Sequence, residues 1–196
     1  MESTLSRAEL FSRGAKGGLA LVAGGSLLAA ASGPAFAQGG GDPAIAGLAA
    51  TAELLAIEFY GRALRAKEFI ADEADYLREA RVNERDHYGA LAGVLGSAAP
   101  KDIEFHFPRG TFRSRRSIAR LGVALETAFV GAYLGAVTAL ESNDLKGVAA
   151  SIAVNEGQHL SVFSDVLRND PVGRSFPKAL TAEEALAAVQ PFLPKT

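Results

Sequence analysis

Two short stretches carry the side chains best placed to do chemistry. Glu84-Arg85-Asp86-His87 and Glu156-Gly157-Gln158-His159 each set a carboxylate and an imidazole three residues apart. On a helix that spacing puts both groups on one face, a turn apart, so each stretch offers an oxygen and a nitrogen to a common point. Mixed donors at that spacing suit a metal ion.

The surroundings sharpen the reading. Leu77, Ala80, Glu84, His87, Leu91 and Leu95 follow one another in steps of three and four, and so do Ala149, Ile152, Glu156, His159, Phe163 and Leu167. These are buried helical stripes, and each places a glutamate where an apolar residue belongs. An uncompensated carboxylate there costs several kcal/mol, so each stripe demands a cation or a proton.

Composition narrows the choice of metal. The chain has no cysteine, which removes disulfides, thiolate metal sites, iron–sulfur clusters and thiol nucleophiles together. It has three histidines, and two of them complete the Glu-x-x-His stretches. The third, His106, falls in a connection and reads as a surface or packing residue. A net charge of −2 with dispersed acids gives no reason to expect nucleic acid. Arg109, Arg113, Arg115, Arg116 and Arg120 read as a solvated face, and no glycine-rich phosphate loop is present.

The elements that must position these groups follow from periodicity. Alanine and leucine dominate and alternating β-branched runs are scarce, so the chain reads as all-α. Helix 1 is expected from Asp42-Pro43, as cap and first helical residue, to about Lys67, with the inward stripe Ala49, Glu53, Ala56, Tyr60 and Ala63. Helix 2 spans about Asp72 to Leu95. Helix 3 spans about Ser114 to Leu140, with Gly122, Glu126, Val130, Tyr133, Val137 and Leu140 inward, and helix 4 ends near Arg168. A proline-rich tail over 169–196 holds one short helix, near Ala182 to Val189.

The two halves repeat. Glu53 and Tyr60 recur as Glu126 and Tyr133, 73 residues on, while Glu84 and His87 recur as Glu156 and His159, 72 residues on. Each half is thus a helical hairpin with the same polar insertions. From Glu53 the chain climbs to a turn near Phe69 and returns over a similar length to Glu84; the second hairpin turns near Glu141 and does the same from Glu126 to Glu156. Four glutamates and two histidines can therefore meet at mid-bundle. The connection from Ser97 to Arg113 reaches roughly 55 Å when extended, more than the ~37 Å length of a 25-residue helix, which favours a crossover along the bundle.

Residues 1–37 read as an export signal. Arg7, Arg13 and Lys16 precede an uncharged segment rich in Gly, Ala and Leu that ends in Ala35-Phe36-Ala37, a small-x-small cleavage pattern. Ser6-Arg7-Ala8-Glu9-Leu10-Phe11 resembles a twin-arginine leader, with Ala8 standing where that family has its second arginine. An uncleaved membrane anchor is the rival reading, weakened by the glycine content. The expected location is the periplasm or cell envelope, with residues 44–168 forming the bundle.

These features resemble the ferritin-like superfamily, in which two helices each give a glutamate and two others each give Glu-x-x-His. Glu53-Leu54-Leu55-Ala56-Ile57-Glu58-Phe59-Tyr60 is similar to the first-helix motif of bacterioferritin and rubrerythrin. Phe105-His106-Phe107-Pro108-Arg109-Gly110-Thr111-Phe112, with Leu125-Glu126 and Gly131-Ala132-Tyr133-Leu134-Gly135, resembles exported relatives of plant desiccation-associated proteins. The resemblance implies a four-helix bundle of two hairpins joined by a long crossover. It also implies Glu53 and Glu126 as terminal ligands, Glu84 and Glu156 bridging two metals, and His87 and His159 binding one each. Tyr60 and Tyr133 would hydrogen-bond the ligating carboxylates or simply fill core space. Glu58, off the stripe, reads as a rim carboxylate.

Four carboxylates offset two divalent cations, and carboxylate with imidazole suits iron or manganese, while also admitting zinc. The expected function is oxidation of Fe(II) or removal of peroxide in stress protection, with oxygen or peroxide as the small substrate and a ferroxidase-like or catalase-like reaction. The alternative is a desiccation-protection protein whose metal site is structural or vestigial. A homo-oligomer is compatible with the resemblance, but the leader and tail are not those of the cage-forming storage proteins.

Overall fold

The computed structural model describes residues 41–194, so the leader expected over 1–37 lies outside the described residues. Within them the chain forms α1 (Gly41–Ala66), α2 (Ala71–Leu95), α3 (Arg115–Ala139), α4 (Asn143–Val166) and the short α5 (Ala182–Val189). Three single 3-10 turns punctuate these helices, and no strand occurs among the described residues.

Helix starts follow local chemistry. Ser114 and Ser117 cap α3 reciprocally, each side chain accepting from the other's backbone N–H at 3.1 Å. The Ser142 hydroxyl accepts from Leu145 N at the start of α4, and Thr181 with Glu184 closes a capping box on α5. Asp42 departs from its expected role. It lies inside the first turn of α1, and its carboxylate accepts from the backbone N–H groups of Glu141 and Ser142 at 2.7 and 2.9 Å, joining the start of α1 to the α3–α4 turn.

That bond fixes the topology together with a second one. Arg115, at the start of α3, forms a bidentate pair with Glu73, at the start of α2. The start of α3 thus lies beside the start of α2, and its end beside the start of α1. Helix α3 runs parallel to α2 and antiparallel to α1, so the connection between hairpins crosses the full length of the bundle.

The crossover is seated by aromatic rings. Phe105 is buried, Phe107 and Phe112 pack on Phe59, and Phe107 also meets Phe192 from the tail. His106 between them faces solvent, while its backbone N–H donates to Phe192 O at 2.8 Å.

The expected stripes face inward. The core gathers around Leu55, Phe59, Leu77, Ile118 and Phe163 towards one end, and around Ala46, Ala50, Leu91 and Leu95 towards the other. Gly122 has a steric reason to be glycine: a Cβ there would lie 2.6 Å from the Phe163 ring. Helices α1 and α3 are each long and apolar enough to span a membrane, but here they supply core residues such as Leu55 and Ile118.

Candidate metal centre

Between the two ends of the core lies a belt of buried charge. Glu53 on α1, Glu84 on α2, Glu126 on α3 and Glu156 and His159 on α4 are each at most 2% exposed. His87 on α2 is partly buried, its side chain 13% exposed, and is the point where the belt touches solvent. The six residues singled out by spacing are brought together.

They form two overlapping sets. Donor atoms of Glu53, Glu84, His87 and Glu156 lie within 4.8 Å of one another, and so do those of Glu84, Glu126, Glu156 and His159. Glu84 and Glu156 belong to both. Each set has one histidine and one glutamate of its own, drawn from the two helices of a single hairpin: Glu53 and His87 from α1–α2, Glu126 and His159 from α3–α4.

The imidazoles turn their Nδ1 atoms to the carboxylates. His87 Nδ1 stands 3.1 Å from Glu156 Oε1, 3.3 Å from Glu84 Oε2 and 3.5 Å from Glu53 Oε2. His159 Nδ1 stands 2.9 Å from Glu84 Oε1 and 3.3 Å from Glu156 Oε2. Yet Glu53 Oε2, both oxygens of Glu84, His87 Nδ1, Glu126 Oε2 and Glu156 Oε1 are buried without a properly directed hydrogen bond. The contacts satisfy distance but not direction: lone pairs converge on shared points rather than on one another's protons. Six such atoms in one belt depart from the rule that buried polar groups are paired, and divalent cations would satisfy them.

Two tyrosines set the outer carboxylates from across the hairpins. Tyr60 on α1 donates to Glu126 Oε1 at 2.5 Å, and Tyr133 on α3 donates to Glu53 Oε1. Each hydroxyl occupies one oxygen of its glutamate and leaves the other, Oε2, aimed into the belt. Of the two readings open to these tyrosines, hydrogen bonding to the carboxylates is the one present. Glu58 lies outside the belt and pairs with Arg62 and Arg65.

Proton energetics describe the same demand for positive charge. Burial, then the neighbouring Glu84 carboxylate, pushes Glu53 well above the ordinary carboxylate range. Burial and Glu156 do the same to Glu126. Burial opposes charge on His87, but the carboxylates of Glu156, Glu53 and Glu84 outweigh it and push its pKa up to about 12. The same balance raises His159 to about 9, while for Glu84 the imidazoles of His159 and His87 overcome burial and bring it down to about 2. Protons and metal cations would answer the same demand, which is why burial and neighbouring carboxylates raise the proton affinity of Glu53, Glu126, His87 and His159.

Two contributors escaped the sequence reading. Asn83 Nδ2 lies 3.4 Å from His159 Nε2, behind the nitrogen that faces the belt, and the Tyr76 ring stands edge-on to the His159 ring at 6.1 Å. The signal for Asn83 was available. Asn83-Glu84-x-x-His87 repeats as Asn155-Glu156-x-x-His159, so the asparagine belongs to the duplicated unit. Its counterpart, Asn155, donates instead to Gln158 on its own helix.

Known proteins agree with the architecture. No curated protein matches the chain. A model of the ferritin-like domain, however, matches residues 41–169, which takes in all four long helices and every residue of the charged belt. With that match over most of its length, the chain belongs to the ferritin-like domain family.

Proposed function

We propose that the belt holds two divalent metal ions, iron or manganese, and that the protein oxidises Fe(II) or removes peroxide. The observation carrying this is the pair of overlapping donor sets that share Glu84 and Glu156 and leave six buried atoms unpaired. Glu53 and His87 complete one set, Glu126 and His159 the other, and the two shared carboxylates lie between them. Two bound ions supply a centre that exchanges electrons with dioxygen or peroxide.

The chain's own residues do the positioning. Tyr60 and Tyr133 hold the outer carboxylates with one oxygen inward, and Asn83 steadies His159 from behind. With a metal on Nδ1 the His159 proton would sit on Nε2, and the Asn83 amide, whose Nδ2 faces Nε2 at 3.4 Å, would turn to offer its oxygen instead. Small oxidants reach the belt past His87, the one member with solvent exposure. The leader pattern over 1–37 supports export and a role outside the cytoplasm, in protection against oxidative stress or drying.

Full-length protein loaded with Fe(II) or Mn(II) tests this reading. Consumption of dioxygen by the iron form, or of peroxide by either form, is expected, with loss of at least 100-fold in Glu84→Ala, on the order of the effect of removing a first ligand or its support. Protein that binds both ions tightly but turns over neither oxidant would instead establish the structural stress-protection role.

A further inference from the structure

The belt is not the only space inside this molecule. A pocket of about 330 Å³, open to solvent along the side lined by Thr138, Ala139 and Ala179, lies between α1, α3 and the tail with its helix α5. It is built by small side chains: Ala52 from α1, Ala132 and Ala136 from α3, and Ala185 from α5, with Ile45 and Val189 also in its lining.

The tail is fixed where it bounds this space. Leu180 N donates to Gly131 O at 2.8 Å, and a Cβ on Gly135 would lie 1.8 Å from Leu180 O, so the tail backbone rests in a notch that only glycine leaves open. The anchorage sets the height at which α5 sits over α1 and α3. The alanines then leave the gap between them unfilled.

The chemistry of the lining defines the guest. Among the described residues, no charged side chain lines the pocket. Two of its three hydroxyls have spent their protons, Tyr133 on Glu53 and Thr138 on Gly135 O at 2.8 Å, while Thr181 accepts from Glu184 N as the cap of α5. A polar guest would lose its water and find few partners in return, whereas an apolar one gains from a lining that is overwhelmingly apolar. An enclosed apolar cavity of about 150 Å³ takes up benzene, and this pocket, with one side open, has room for a larger guest.

We propose that this cavity binds an uncharged apolar small molecule, of the size of a fused two-ring aromatic or a medium-length alkyl chain. The site is separate from the charged belt but shares one wall with it. Tyr133 gives its ring to the cavity and its hydroxyl to Glu53, so a bound guest presses on the residue that orients a belt carboxylate.

The test uses full-length protein and N-phenyl-1-naphthylamine, an uncharged probe that fluoresces when shielded from water. Saturable binding of one probe per chain is expected. Ala136→Phe on α3 and Ala188→Phe on α5 fill the cavity from opposite walls, and each should weaken the probe roughly tenfold or more with the helical circular dichroism unchanged. The two walls are independent, so a folding failure in one variant leaves the other to decide. Non-saturable binding, equal binding in a folded filled variant, or exclusion of the probe from an oligomer that closes the cavity would overturn the proposal.

Discussion

Tyr60 and Tyr133 show how single side chains make a belt of carboxylates usable. Each phenol is pushed above its ordinary pKa, first by burial and then by the carboxylate it touches, so it stays a donor at any working pH. A permanent donor on one oxygen leaves the other free to face a cation. Asn83 works on an imidazole in a comparable way, from behind His159. Replacing it removes the partner of the Nε2 proton without touching a belt atom. Asn83→Ala is expected to weaken metal binding by roughly 10- to 100-fold, the range for removing a group that orients a ligand. Titration with Mn(II) followed by paramagnetic resonance measures this, and unchanged affinity would remove Asn83 from the account.

Helices carry these residues to one height, and most of that geometry was legible in the chain. The steps of three and four around Glu84 and Glu156 marked the buried faces, and the 73- and 72-residue offsets marked two equivalent hairpins. What escaped was long-range or three-dimensional. Asp42 reads as a helix cap because caps are local, yet its partners are Glu141 and Ser142, about 100 residues away. Gly122 sits in an inward stripe with no hint of why it is small until Phe163 appears across the α3–α4 interface. Gly122→Ala drives a methyl into the Phe163 ring and should cost about 1–3 kcal/mol, the usual penalty for overpacking, despite alanine's better helix propensity. Urea unfolding of the two proteins tests it; a more stable variant would mean that the α3–α4 interface has slack.

At the scale of the whole molecule, the belt is where the two hairpins meet through charge rather than apolar packing. Without metal its stability should depend on pH in a definite sense. His159 has a folded pKa of about 9 against an ordinary 6.5, so its contribution is complete below 6.5 and is lost as pH rises through 9. Glu53 and Glu126 act in the same sense, because the unfolded chain releases their protons above about 4.5 and the folded chain retains them. Glu84, brought down to about 2, contributes oppositely, but that contribution is already full above 4.5. Metal-free protein should therefore melt at a lower temperature at about pH 9.5 than at about pH 6. Bound metal competes with the same protons, so the stabilisation gained from added metal should grow as pH rises. A metal-free melting temperature that climbs with pH would contradict the charge balance assigned to the belt.

The central claim is that four glutamates and two histidines form one centre for two ions, and the direct measurement is metal content. Elemental analysis of the protein isolated from its native cells avoids loading by a foreign host. The account predicts about two iron or manganese atoms per chain, and their loss from Glu84→Ala/Glu156→Ala protein that keeps its helical signal. Full metal retention by that double variant, or a protein that takes up no metal under any loading, would contradict it.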